Sequence, residues 1–212
     1  NVMPVGTTNR APMIDGIIEN GEYPTVVPGL LDLDENALYP EHAAVHTTAT
    51  DDHLYVAAVL ELPSDYSPDS VTREPDDPQL LDADSFHLLI RSDAGGNSEQ
   101  FAAAYLCLGP AGSLYDALET ADWANGTINR DDGRDYEADA VSRIHQGRWT
   151  VETRIPLAEL GPVKDRPFAF SLGYYLKGLS RKRISLQMHP KGFDHPQAFG
   201  IGRFVSMSVR TN

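Results

Sequence analysis

Apolar side chains in this chain recur at every second residue rather than with the spacing of a helix. The clearest case is the segment 149–155, in which Trp149, Val151 and Ile155 alternate with polar residues. The same alternation is found in the segments 86–91 and 168–176. Because successive side chains of a strand point to opposite faces, this pattern predicts strands with one buried face and one solvated face.

Turn residues separate these strands and predict how they pair. Gln146-Gly147 lies between segment 149–155 and segment 138–145, and glycine supplies the positive φ of a tight hairpin turn. Further strands are predicted at 45–50, 54–60, 101–108, 183–188 and 199–207. About nine strands with turns between them are typical of a sandwich. We therefore predict an all-β fold, a two-sheet antiparallel β-sandwich of the jelly-roll or immunoglobulin type, as one domain over residues 1–212.

Helix and loop are each predicted in few places. Pro156 and Gly161 bracket a segment long enough for barely more than one helical turn. The segments 63–78 and 116–136 are rich in proline, aspartate or glycine and show no alternation, so we predict long loops there. Loops of this length in a compact domain are often functional.

Composition excludes several classes of partner. The chain carries 17 Lys+Arg against 31 Asp+Glu, a formal net charge of −14. Such a surface repels nucleic acid and anionic membranes, so we expect neither as a partner. The longest uncharged stretch, 101–115, is broken by Gly109 and Pro110 and is shorter than the roughly 20 apolar residues of a membrane span.

The single cysteine and the start of the chain bear on its compartment. Cys107 is the only cysteine, so the chain has no intrachain disulfide, and the apolar residues around it in the sequence predict a buried thiol. No basic stretch followed by an apolar one opens the sequence, so we expect that any export signal has been removed or lies on a larger parent polypeptide.

Five short segments, in order along the chain, match one known family. They are Ile-Asp-Gly at 14–16 with Glu-Tyr at 22–23, followed by 51–57, 84–90, 149–157 and 194–200. With these segments the chain resembles the family 9 carbohydrate-binding modules and their DOMON-like relatives over residues 11–205. The resemblance implies a non-catalytic β-sandwich that binds a glycan or the end of a sugar chain. It also implies an extracellular or periplasmic bacterial location, within a larger secreted protein.

In sugar-binding members of that family two tryptophans clamp a terminal sugar ring. Phe199 stands where one clamp aromatic is expected. The other should precede Asp84, where this chain has Gln79, Leu80 and Leu81. The chain therefore departs from the family pattern at half of the clamp, and Phe199 has the alternative of being an ordinary core residue.

Polar and aromatic residues near these positions complete the predicted sugar site. His87 and His195 stand where the family often has an acid and an amide, and Arg91 shares the strand face of His87. Trp123 lies in the predicted loop 116–136, without a periodic core partner. The predicted carbohydrate-binding residues are thus Phe199, His195, His87, Arg91 and Trp123. Ordinary solvated or hydrogen-bonded histidines are the alternative for His87 and His195.

Structural calcium is implied by some members of the family. Candidate ligands near predicted strand ends are Asp15, Glu22, Asp51 and Asp84. Carboxylates of this kind are the oxygen ligands that calcium prefers. The alternative is that they cap turns and keep the surface soluble.

Two other classes of function stay open at this point. Asp82 and Asp84 have the i, i+2 spacing of a glycosidase carboxylate pair, but they precede the strand and no further catalytic motif accompanies them, so we predict no enzyme. The second is a structural or protein-interaction module that has kept the sandwich and lost the sugar site.

Overall fold

A computed structural model describes residues 2–32, 37–39, 42–93, 99–164, 166–179, 182–185 and 199–205. Within these ranges the chain forms a 15-stranded hydrogen-bonded network and one 3-10 helix, Pro78–Asp82. The strands are β1 (Val2–Thr7), β2 (Thr25–Pro28), β3 (Leu31–Asp32), β4 (Ala37–Leu38), β5 (Ala43–Ala49), β6 (His53–Glu61), β7 (Ser85–Arg91), β8 (Gln100–Leu108), β9 (Leu114–Asp122), β10 (Thr127–Asp131), β11 (Asp139–His145), β12 (Arg148–Pro156), β13 (Phe168–Leu176), β14 (Lys182–Ser185) and β15 (Gly200–Val205).

The strands form two layers joined through β1. The first sheet runs β10-β9-β8-β7-β13-β15, the second runs β5-β6-β12-β11, and β1 lies between β15 and β5. The pairs within each of these two runs are antiparallel, whereas β1 is parallel to both of its neighbours. The predicted β-sandwich is confirmed, with these parallel pairings as an addition that local sequence patterns do not encode.

The main core lies between the two sheets. Phe86 and Phe170 of the first sheet pack in one cluster with Val56, Val151 and Trp149 of the second. Trp149 is 0 % exposed, and its indole nitrogen donates to the Ser142 hydroxyl at 2.8 Å. Its predicted place in the core is confirmed, since the alternation that carries it turns every second side chain of β12 inward.

The predicted hairpin at Gln146-Gly147 is confirmed. Gln146 and Gly147 both have positive φ, 49° and 75°, and they join β11 to β12 as antiparallel neighbours. Cys107 is buried as predicted, and burial raises the pKa of its thiol to about 12. Among the residues described, no helix has the length and apolar character needed to cross a bilayer.

Two local predictions were wrong. The segment 116–136 is not one long loop, because it holds most of β9 and all of β10 around the turn at Asn125-Gly126. The segment 156–161 forms successive hydrogen-bonded turns instead of a helix. The 3-10 helix begins at Pro78, at the end of the predicted loop 63–78, where the Asp77 carboxylate accepts the Gln79 N–H as an N-cap.

Strands β1 to β4 were not predicted. β2, β3 and β4 are short, and β3 and β4 contain only two residues each. β1 joins the two sheets through parallel pairings that no local turn signal predicts. The predicted strands 183–188 and 199–207 are found over 182–185 and 200–205. Phe199 directly precedes the second of these strands, and residues 186–188 and 206–207 lie outside the described residues.

Candidate functional site

The outer face of the first sheet, which points away from the main core, carries a second apolar cluster. Its buried members are Leu80, Leu89, Phe101, Ala103, Tyr105, Cys107, Tyr115, Ala117 and Ala121. Four half-buried side chains pack against them, namely Leu81, Trp123, Tyr175 and Phe199. We call these thirteen residues the outer-face cluster. Its partly exposed members are mostly aromatic, which is the character expected of a ligand platform.

Arg91 is buried within this aromatic surface. Its guanidinium carbon lies 4.7 Å from the ring centroid of Phe101 and 5.3 Å from that of Phe199. The two rings meet edge to face with centroids 5.1 Å apart. Asp93 accepts hydrogen bonds from Nε at 3.1 Å and from Nη2 at 3.3 Å. The structure therefore brings together two of the predicted sugar-binding residues, Arg91 and Phe199, in one cation–π arrangement.

His87 lies on the same face but beneath the surface. The Tyr105 hydroxyl lies 2.6 Å from Nδ1, and the Ser85 hydroxyl lies 2.9 Å from Nε2. Because the single Ser85 hydroxyl hydrogen is donated to the Ala83 carbonyl, Ser85 accepts from His87, which fixes the tautomer protonated at Nε2. Both ring nitrogens thus have protein partners. A hydrogen bond from His87 to a sugar stays a prediction, and in this structure His87 positions Tyr105.

Burial keeps the His87 ring neutral. Loss of water around the ring lowers the pKa of His87 to about 3, and the positive charge of Arg130 adds to this effect. Arg130 on β10 lies over the Tyr105 ring, with 4.5 Å between its guanidinium carbon and the ring centroid. Its charge is balanced by the buried Glu119 on β9, at an N–O distance of 2.8 Å. This ion pair was not predicted from the sequence.

Trp123 and Tyr175 are two of the partly exposed aromatic residues of the outer-face cluster. Trp123 lies in the turn between β9 and β10, where its backbone N–H donates to the Glu99 carbonyl at 2.8 Å. Tyr175 projects from β13 and was not among the predicted site residues, although alternation in 168–176 already placed it opposite the core-facing side chains. His195 lies outside the described residues.

The position expected to hold the second clamp aromatic is aliphatic in space as well as in sequence. Leu80 of the 3-10 helix is fully buried in the outer-face cluster, and Leu81 packs against it half-buried. Gln79 is exposed. On this side of the site the half-buried Leu81 is therefore the apolar side chain available for dispersion contacts, and neither Leu80 nor Leu81 offers a π-system.

The four candidate calcium ligands are spread over different parts of the fold. Asp84 accepts the Tyr66 hydroxyl and the Asp69 N–H, each at 2.6 Å, and Asp51 lies 3.3 Å from the ammonium group of Lys164. No group of three or more His, Cys, Asp or Glu side chains suited to a metal occurs in the described ranges.

Asp15 and Glu22 close the turns of the N-terminal loop. Asp15 accepts the Ile17 N–H at 2.9 Å, and Glu22 accepts the N–H groups of Met13 and Glu19 at 2.8 and 3.0 Å. These contacts are those expected if the two carboxylates cap turns, which was the alternative to calcium binding. Both residues also line one cavity of about 270 Å³.

Buried Glu152 of β12 holds this N-terminal loop against the second sheet. One carboxylate oxygen accepts the N–H groups of Asp15 at 3.2 Å and Gly16 at 2.7 Å, and the other accepts the Tyr23 hydroxyl at 2.8 Å. Burial raises the pKa of Glu152. The Ile-Asp-Gly and Glu-Tyr segments at 14–16 and 22–23 are thereby joined to the segment 149–157 by one side chain.

Comparison with known proteins adds the fold family. No family model matches the sequence, and no curated protein matches it significantly. A family 9 carbohydrate-binding module from Caldicellulosiruptor kristjanssonii in complex with glucose matches with a TM-score of 0.63 and 15 % identity, over 100 % of both chains. A module of the same family and organism with cellotriose gives 0.63 and 14 %, over 100 % of this chain and 97 % of that one.

A third structure comes from a different organism. A candidate carbohydrate-binding protein from Bacteroides uniformis matches with a TM-score of 0.67 and 11 % identity, over 96 % of this chain and 99 % of that one. At this level of identity the likeness concerns the fold. The chain therefore has, over its whole length, the β-sandwich fold of the family 9 carbohydrate-binding modules.

Proposed function

We propose that this protein is a non-catalytic carbohydrate-binding module and that the sugar is bound on the outer-face cluster. The observation that carries the proposal is the half-buried Phe199 ring over the Arg91 guanidinium, on the exposed face of a sheet whose fold is that of sugar-binding modules. In line with what the sequence resemblance implies, we propose that the chain acts outside the cytoplasm as part of a larger protein.

The chemistry of the outer-face cluster fits a sugar ring. A pyranose has apolar C–H faces that stack on aromatic rings and a rim of hydroxyl groups that need directional hydrogen bonds. Trp123, Tyr175 and Phe199 provide partly exposed rings. Arg91 and Arg130 provide donors held in place by acidic partners. The cluster therefore combines both requirements within one surface.

The acids at the edge of this face argue for binding rather than hydrolysis. Asp82 lies 3.1 Å from the ammonium group of Lys177, while Asp84 is buried and bonded to Tyr66 and Asp69. A glycosidase needs two carboxyl groups that face each other across the scissile bond.

Calcium binding stays a separate proposal, for the cavity of the N-terminal loop that Asp15 and Glu22 line.

Replacement of Phe199 tests the location of the site. We expect Phe199→Ala to weaken binding of cellotriose about five- to thirtyfold in calorimetric titration, because an aromatic contact at a binding surface contributes roughly 1–2 kcal/mol. The matched control is Met13→Ala, which removes an exposed apolar side chain from the N-terminal loop. It should bind as the wild type does.

The other outcomes of this titration are informative. Equal affinity in the wild type and Phe199→Ala would place the sugar elsewhere. No heat with glucose, cellotriose or a wider glycan panel would favour the protein-interaction module. Release of reducing ends from a glycan would show an enzyme.

A further inference from the structure

Two buried polar groups on the outer face have no hydrogen-bond partner among the described residues. They are Nη1 of Arg91 on β7 and the hydroxyl of Ser171 on β13. Both residues are 0 % exposed. Unpaired buried donors cost free energy and are rare in folded proteins, so each calls for an explanation.

Strand register brings the two groups together. In the antiparallel pair of β13 and β7, Ala169 is opposite Arg91 and Ser171 is opposite Leu89, so Ser171 and Arg91 are diagonal neighbours on one face. The pairing of Phe170 with Gly200 places Ser171 opposite position 199 when it is continued by one residue. Phe199 covers the guanidinium from above. We call Arg91, Ser171 and Phe199 the oxygen notch.

We propose that one oxygen of the bound sugar enters between Phe199 and the sheet and accepts hydrogen bonds from Arg91 Nη1 and Ser171 Oγ. This inference rests on the proposed function. Binding requires the half-exposed Phe199 ring, which directly precedes β15, to turn outward. It then exchanges its contact with the guanidinium for the C–H face of the sugar, and both unpaired groups gain a partner.

Charge decides which kind of oxygen the notch takes. Asp93 already pairs with Arg91 through both of its carboxylate oxygens. A ligand carboxylate would be a second anion on one cation, in a chain whose formal net charge is −14. A neutral hydroxyl or carbonyl oxygen accepts the same hydrogen bonds without this repulsion. The notch therefore selects neutral sugars and discriminates against uronic acids.

Removal of the Ser171 hydroxyl tests the contact itself. We expect Ser171→Ala to weaken cellotriose binding about five- to tenfold, the effect of one lost hydrogen bond. Its urea midpoint should not fall and should rise slightly, because an unpaired buried hydroxyl costs free energy that the substitution removes. The matched control is Ser142→Ala in the second sheet, where Trp149 loses its acceptor. That variant should lose stability and keep its affinity.

Competition between two monosaccharides tests the charge selection. Glucuronic acid should displace cellotriose at least about tenfold less effectively than glucose. Asp93→Asn should reduce the difference in affinity between glucose and glucuronic acid, because the Arg91 guanidinium is then free of its carboxylate partner and attracts the carboxylate of the ligand. Asn keeps one acceptor oxygen for Arg91, and the urea midpoint of the variant, measured alongside, checks that the protein with an uncompensated buried guanidinium is still folded.

The outcomes separate this inference from the proposed function. Wild-type affinity in Ser171→Ala, together with weak binding by Phe199→Ala, would overturn the notch and leave the sugar site in place. Equal competition by glucuronic acid and glucose would overturn the selection for neutral oxygen. A wild-type protein that binds neither glucose nor cellotriose would overturn the proposed function as well.

Discussion

The free energy of unfolding should fall steeply below pH 6.5, because His87 must stay neutral in the folded protein. Its ring belongs to a continuous chain of hydrogen bonds, in which Tyr105 bonds to His87, His87 to Ser85, and Ser85 to the Ala83 carbonyl. Protonation at Nδ1 would turn the acceptor of the Tyr105 hydroxyl into a donor and would place a charge in a fully buried site.

Proton linkage gives the sign and the size of this change in the free energy of unfolding. The pKa of His87 is lowered from 6.5 to about 3, so between these values the unfolded chain binds the proton and the folded chain does not. Each pH unit in this window costs about 1.4 kcal/mol, which amounts to roughly 3 kcal/mol at pH 4. Domains are stable by only about 5–15 kcal/mol, so this is a large part of the total.

Urea denaturation at pH 7 and pH 4 measures the effect. His87→Gln keeps one acceptor for Tyr105 and one donor for Ser85 without a titrating ring, and we expect it to lose about 3 kcal/mol less than the wild type. His145→Gln, at an exposed site on β11, is the matched control and should follow the wild type. Equal losses in wild type and His87→Gln would show that other groups cause the acid sensitivity.

Alternation predicts strands best where one face is apolar and the other polar. β12 and β13 follow the predicted segments closely, because every second side chain of each lies in the core. β9 and β10 do not obey this rule. Glu119 is buried on β9, where Arg130 on β10 pairs with it, and a charged residue at a buried position interrupts the alternation that predicts a strand.

The candidate site likewise contains residues that the sequence predicts and residues that only the strand pairing identifies. Phe199 and Arg91 could be predicted because one matches a family position and the other shares a strand face with His87. Ser171 could not, since a small polar residue in an alternating segment gives no signal of its own. Its importance depends on the register of β13 against β7 and β15, which pairs residues distant in sequence.

Loss of the Glu152 carboxylate should detach the N-terminal loop from the second sheet. Glu152→Ala would leave the Tyr23 hydroxyl and the N–H groups of Asp15 and Gly16 without their acceptor. Gly16 and Tyr23 are buried, and an unpaired buried donor costs about 1–3 kcal/mol, so we expect a loss of roughly 2–6 kcal/mol. Burial raises the pKa of Glu152, and its contribution is therefore fully present at low pH and declines as pH rises. The difference from wild type should accordingly widen toward acidic pH.

The matched control for this prediction is Glu61→Ala, because Glu61 lies on the neighbouring strand and accepts a hydrogen bond from partly exposed Arg148 at 2.6 Å. A surface ion pair contributes about 0–1 kcal/mol, so the urea midpoint of that variant should hardly move. Hydrogen exchange gives a local readout: in Glu152→Ala the amides of Asp15 and Gly16 should exchange much faster, while those of β7 and β8 stay protected. Equal small losses in both variants, with Asp15 and Gly16 still protected, would mean that the packing of Tyr23 against Tyr55 and Ala57 holds the loop without the carboxylate.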